Sequence, residues 1–377
     1  MRKEFLDGLE EQYKSTPPTV VDFANSIEAD VKSPHELSNA IFRDLDTKKL
    51  GIGWWAPHVK TSQRIVTGDY LYRVAGAITT NIAEARLHFH HLQHCFDEEN
   101  NFSKYLPIIN GRPKLPKRVK GKDEYWIFMT ELHLAGFFRA LGSVLDCLGA
   151  SIVGVLALPT DIIKADFGKA RRCFAKIRKQ PTSEGQLVQT DFEEHLNEIV
   201  VFVGPPGWNG WVDKIRNTFV HRARRFQLTR MDHVDTRILN NNGGQTVRSI
   251  KNLQLPNVPD FTDIEAWSGD GENNLLLGEN ATTTINGCYK SVESMATRIS
   301  KELIEIWAKR RAAPTLLVQP ESQWDKASRN GVPFSGYKTD APPFSAESIT
   351  ASPNFIKRLR AASLDGERIH HWKNFDQ

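Results

Sequence analysis

The chain has 377 residues, 40% of them hydrophobic, which is enough for one large domain or two small ones with real cores. Lysine and arginine number 49 against 45 aspartates and glutamates, so the formal charge of +4 does not call for a nucleic-acid partner, and one has to be argued from local clusters. Cys95, Cys147, Cys173 and Cys288 lie far apart without a CxxC pair, which argues against a zinc ribbon or short disulfide framework and for a reducing compartment.

The opening Met1-Arg2-Lys3-Glu4 leads into a mixed, charged stretch rather than an apolar signal core, so a cytoplasmic protein is expected. From 1 to 66 the sequence reads as a helical lead-in. It has a short helical pattern after Ser33-Pro34, breaks at Pro17-Pro18, and contains the loop-like run Gly51-Ile52-Gly53-Trp54-Trp55. Leu71, Val74, Ile78, Ile82, Ala85, Phe89, Leu92 and Phe96 then recur every three or four residues, predicting a long helix with one apolar face. Pro107 to Lys122 reads as a basic, proline-bearing loop.

A second long helix is predicted from Ile127, Leu134, Phe138, Leu141, Leu145, Leu148, Ile152 and Val155, with Gly136, Arg139, Ser143 and Asp146 on another side. Its stretch from Phe137 to Leu158 is the most membrane-like in the chain. It carries Arg139 and Asp146, however, so a buried bundle helix is expected and no membrane partner. After Pro159, Thr160-Asp161 is read as the cap of a third helix with Ile163, Phe167, Ala170, Phe174 and Ile177 inward. Lys169, Arg172, Lys176 and Lys179 line its other side. A fourth helix is predicted over about Asp191 to Val203, and Gly204-Pro205-Pro206-Gly207 separates it from a fifth, Trp208 to about Arg225. Residues 226–283 read as a loop-and-strand insertion, with a turn at Asn240 to Gly244 and a β-like run from Thr246 to Leu255. Ile285, Cys288, Val292, Met295, Ile299, Leu303 and Ile306 predict a last long helix, and the rest, rich in proline, serine and charge, is expected to be an irregular tail.

The fifth helix carries the chemistry. Arg216 and His221 stand five apart, a spacing that Arg86 and His91 also satisfy, so context has to separate the two pairs. On a helix, Asn217, His221 and Arg224 align opposite Trp208, Ile215, Phe219 and Phe226, while Arg216 lies about 140° from His221 around the axis. The pair meets only if the guanidinium reaches round or a second helix completes the site, and this favours a site shared across a dimer. An imidazole that moves a proton and a guanidinium that neutralises a phosphorane suit RNA cleavage by the RNA's own 2′-hydroxyl. That reaction needs no cofactor. Asn217 can hydrogen-bond the phosphate or orient the imidazole. Arg86 and His91 are read as surface residues, because Leu87 follows the arginine.

The segment Arg216-Asn217-x-x-x-His221 resembles the RNxxxH signature of the HEPN superfamily. The resemblance covers roughly 70–225 plus the final helix. It implies a mainly α fold, a HEPN-like helical bundle over 67–312 that contains the insertion 226–283 and is followed by an irregular tail, 313–377. It also implies a metal-independent RNA endonuclease of the toxin or antiphage kind, working as a homodimer on RNA and accompanied by an antitoxin or defence-system partner protein. Arg216 and His221 would be catalytic and Asn217 accessory. Arg222, Arg224 and Arg225, beside the motif, are candidates for holding the RNA backbone, and Lys169, Arg172 and Lys176 for extending that track. Glu131, at the edge of an apolar stripe, is a candidate accessory carboxylate, with an internal salt bridge as the alternative. His90 and His94 have the spacing of a helical metal pair but lack an HExxH pattern, and no metal is expected. The alternative is a HEPN-like module that binds RNA, a nucleotide or a protein without catalysis.

Overall fold

A computed structural model describes residues 32–45, 51–57, 61–103, 108–109, 112–113, 121–177, 183–221, 231–238, 245–256, 277–318, 336–337 and 353–363. Eight α-helices run through them: α1 Lys32–Arg43, α2 Thr61–Ser103, α3 Lys122–Leu156, α4 Phe167–Ile177, α5 Glu184–Val203, α6 Trp208–His221, α7 Ala281–Ala312 and α8 Pro353–Ser363. Two antiparallel pairs accompany them, β1 Ile108–Ile109 with β2 Arg112–Pro113, and β3 Met231–Ile238 with β4 Gln245–Leu253. The protein is mainly helical, as the apolar periodicity predicts. The second strand pair falls in the expected insertion, while the turn at Asn240 to Gly244 lies outside the described residues.

The chain clusters into two compact units, each drawn from separate stretches of sequence. Among the described residues, one unit is drawn from Ile78–Leu145 and Asn197–Thr297, and the other from Ser33–Ala77, Asp146–Leu196 and the stretch from Arg298 onward. The long helices are the reason: α2, α3, α5 and α7 each have one stretch in either unit.

In the first unit the apolar faces of four helices meet. Ile82, Ala85 and Leu92 of α2, Leu134, Phe137, Phe138 and Leu141 of α3, Val212 and Ile215 of α6, and Ile285, Val292 and Met295 of α7 are all buried. Burying each large aliphatic or aromatic side chain contributes about 1.5–3 kcal/mol, which outweighs the modest helix propensity of the same residues. Phe89 stacks on Tyr289 at 6.4 Å between ring centroids. The α3 stretch Tyr125–Leu156 is long and apolar enough to cross a membrane, yet 78% of its most apolar window is buried inside the protein, the pattern of a core helix.

In the second unit the end of α3 is buried, and its last carbonyls all find donors. The Leu158 amide reaches Val153 O, Trp55 Nε1 and Arg310 Nη1 both reach Gly154 O, Arg310 Nη1 also reaches Val155 O, and Gln189 Nε2 reaches Leu156 O. The reversal passes through Ala157 at φ 53°, the left-handed residue that such a terminus needs. The run 51–55 is therefore not a simple surface loop. Gly53–Trp55 is a 3-10 turn whose Trp55 is fully buried and whose carbonyl accepts from Arg310 Nη2 at 2.9 Å.

Two helix boundaries also differ from expectation. Asp161 caps only the short 3-10 turn Ile162–Lys164, and α4 starts at Phe167, where the Asp166 carboxylate accepts the Lys169 amide at 2.6 Å. Helix α5 begins at Glu184, earlier than its apolar pattern, because Ser183 and Gln186 bond reciprocally as a capping box. The tail is not wholly irregular either. Helix α8 docks by Arg358, which pairs with Asp69 at 2.8 Å, and by Lys357, which lies 4.2 Å over the Phe42 ring.

Candidate functional site

The breaker before α6 sets the helix that holds the motif. Gly207 adopts φ 85°, a conformation natural to glycine, and Trp208 and Trp211 then donate their backbone N–H groups back to Pro205 O and Gly207 O. The indoles fix the helix on its flanks: Trp208 Nε1 donates to Val200 O at 2.9 Å and Trp211 Nε1 to Pro256 O at 3.1 Å. Trp208, Val212 and Ile215 are buried, and the Phe219 ring stacks on Phe138 of α3 at 6.0 Å. The inward stripe is the one the spacing predicts, as far as it is described.

The polar row is less open than expected. Arg216 and Asn217 are both half-buried, and Arg216 Nη1 donates to Asn217 Oδ1 at 3.1 Å. Asn217 Nδ2 is 3.5 Å from the carboxylate of exposed Asp213, one turn back. The Arg216 stem lies across α3 at Gly142: a Cβ there would stand 2.5 Å from Arg216 Cγ and 2.8 Å from its Nε. A bare backbone position on α3 thus serves as the seat of the arginine, which the sequence alone does not reveal. His221 is the last residue of α6; its side chain lies outside the described set, as do Arg222, Arg224 and Arg225 entirely.

Lys169, Arg172 and Lys176 are exposed on α4, as their spacing predicts, but they belong to the second unit while Arg216 and Asn217 belong to the first. Lys169 is also engaged locally, with its ammonium 3.0 Å from Asp166 and donating to Lys164 O. Lys179 is outside the described residues. Glu131 is half-buried on α3.

Histidines form the second polar group of the first unit. His88 Nδ1 and His133 Nδ1 are 3.0 Å apart, and His91 is not a surface residue, because its ring stacks on His133 at 4.7 Å. Burial, with the neighbouring His91 and His88, pulls His133 down to about 4, and burial likewise lowers His88 and His91. All three are neutral near pH 7, so the His88–His133 contact is one N–H donating to one bare nitrogen. The His88 ring lies against Gly136 of α3, and its Nε2 is 3.8 Å from Glu84. Its signal in the sequence is faint: His88 follows Ala85 by three residues on the flank of the apolar face. His90 and His94 are exposed, and His94 sets its ring edge-on to Trp126. Among the described residues no group of three or more His, Cys, Asp or Glu side chains is arranged to hold a metal ion.

No protein-family model, no curated protein and no solved structure matches the chain.

Proposed function

We propose that the protein is a metal-independent RNA endonuclease of the HEPN type, acting as a homodimer. The observation that carries the reading is the pairing of Arg216 with Asn217 on α6, the helix that ends at His221, within a unit built of packed helices. The guanidinium donates to the neighbouring amide oxygen at 3.1 Å, and its planar fork matches the oxygens of a phosphate.

In the proposed reaction the 2′-hydroxyl oxygen attacks the adjacent phosphorus, the bond to the 5′-oxygen breaks, and a 2′,3′-cyclic phosphate and a 5′-hydroxyl result. The His221 imidazole takes the 2′-hydroxyl proton and later releases it to solvent, the leaving 5′-oxygen takes a proton from water, and Arg216 offsets the charge on the phosphorane. Because Arg216 and His221 diverge by about 140° on one helix, the pairing is completed by the same helix of a second copy. The Arg222, Arg224 and Arg225 run extends the backbone contact. A role as a cytoplasmic toxin or antiphage effector, held in check by a partner protein, follows from the resemblance and belongs to the same proposal.

The test is RNA cleavage by purified protein in EDTA. Wild type cuts RNA but not the same sequence as DNA, which lacks the nucleophile, and Arg216→Ala or His221→Ala abolishes cutting with the helical circular dichroism unchanged. Salt-sensitive RNA binding without any cleavage would instead favour a non-catalytic binding module, which the internal bonding of Arg216, Asn217 and Asp213 would then explain.

A further inference from the structure

We infer that Arg139 is a second phosphate-holding guanidinium of the site to which Arg216 belongs, and that the face of α3 from Gly136 through Arg139 to Gly142 is the floor of its groove. The inference rests on the nuclease reading for its ligand, a single-stranded phosphodiester backbone, but its geometry stands separately.

Two glycines on α3 each receive a polar side chain from a different helix. Gly136 lies under the His88 ring of α2, and Gly142 under the Arg216 stem of α6. Six residues of helix turn these two directions about 120° apart, and Arg139, midway between, projects about 60° from each. It therefore points between the two covering helices, and its side chain is 60% exposed.

Residues three apart on a helix have Cβ positions about 5–6 Å from one another. Arg216 Cδ comes within 3.0 Å of where a Gly142 Cβ would be, so both guanidinium groups have the reach to hold one phosphate. Arg139 has a carboxylate nearby, and so does Asn217, the partner of Arg216. Arg139 Nη2 is 3.7 Å from Glu84, the carboxylate that also lies 3.8 Å from His88 Nε2, and Asp213 stands one turn from Asn217. An exposed pair of that length is weak and screened, so a phosphate able to take two forked guanidinium contacts displaces Glu84 readily. Lysines in place of the two arginines would supply charge without the planar fork.

The experiment is fluorescence anisotropy of a labelled single-stranded oligodeoxynucleotide, which cannot be cut by its own 2′-hydroxyl, titrated with full-length protein at several salt concentrations. Arg139→Gln is expected to weaken binding roughly tenfold. It is also expected to reduce the slope of log affinity against log salt by about 0.7. Arg139→Lys keeps the slope and loses part of the affinity, and Glu84→Gln tightens binding, because the competing carboxylate is gone. These side chains are exposed or half-exposed, so thermal unfolding of the variants stays at the wild-type temperature. Wild-type affinity and salt slope in Arg139→Gln overturn the inference, as does a wild type that fails to bind the strand. A wild type that binds the strand with the Arg139 signature, yet leaves RNA uncut, sinks the nuclease reading and leaves the groove in place.

Discussion

Two arginines use helix α3 in opposite ways. Arg310 is completely buried, and its guanidinium is spent on backbone carbonyls, those of Gly154 and Val155 at the helix end and of Trp55. Burial drags its proton affinity down to about 9, still well above neutrality, so the cation persists and complements the negative end of the helix dipole. Arg216 lies half-buried across Gly142, its stem on bare backbone and its head beside an amide. The first closes a buried helix end, and the second is seated on bare backbone beside the amide of the motif. Residue type alone does not tell them apart; what each guanidinium touches does.

The widest separation between them is in stability. Arg310→Met is expected to cost about 3 kcal/mol or more by urea unfolding, because it strips several buried carbonyls of their donor. Arg216→Met, which removes a half-buried group, is expected to cost under about 1 kcal/mol. Equal losses at the two positions would break the distinction.

A smaller effect is expected at Gly142. Gly142→Ala must push the Arg216 stem off its seat, and overpacking of this kind costs about 1–3 kcal/mol. Under the nuclease reading it lowers kcat more than it raises KM, since the arginine is misplaced rather than lost. An unchanged kcat in a folded Gly142→Ala protein would mean that the seat has no bearing on the site.

The smallest effect is the acid response of the neutral histidines. Their folded proton affinities are lowered, so below the unfolded value of 6.5 the unfolded chain binds more protons, and stability falls as the pH is lowered towards about 4. Above that window the stabilisation is complete. Melting temperature followed from pH 7 to pH 4 checks this, and His133→Phe is expected to flatten the curve, whereas an unaltered slope would assign the acid response elsewhere.

Local order is what the sequence makes readable. The stripe Leu71, Ile78, Ile82, Ala85 and Leu92 announces α2, and the same periodicity announces α3 and α7, because 3.6-residue spacing and burial are one constraint. The motif helix is legible for the same reason, down to the buried Ile215. The partner of each polar residue is not. That Arg216 rests on Gly142, or His133 on His88, depends on contacts between positions some 45 to 74 apart, which leave no periodic trace. Arg310 reads as one more cation in a basic helix end, Lys309 to Arg311, and only its long-range carbonyl partners reveal its burial. Helix α8 goes unread because its apolar content is slight and its docking rests on the pairing of Arg358 with Asp69.

The bond from Arg310 to the Trp55 carbonyl spans 255 positions, and that from Trp307 Nε1 to Asp44 spans 263. A ribosome making this chain has emitted α1 and the Trp55 turn long before either donor exists. The interior of the second unit therefore cannot close until α7 has emerged, and until then α3 carries open carbonyls at its end. Slow, late closure with apolar surface exposed in the interim is the regime in which chaperone capture and aggregation compete with folding.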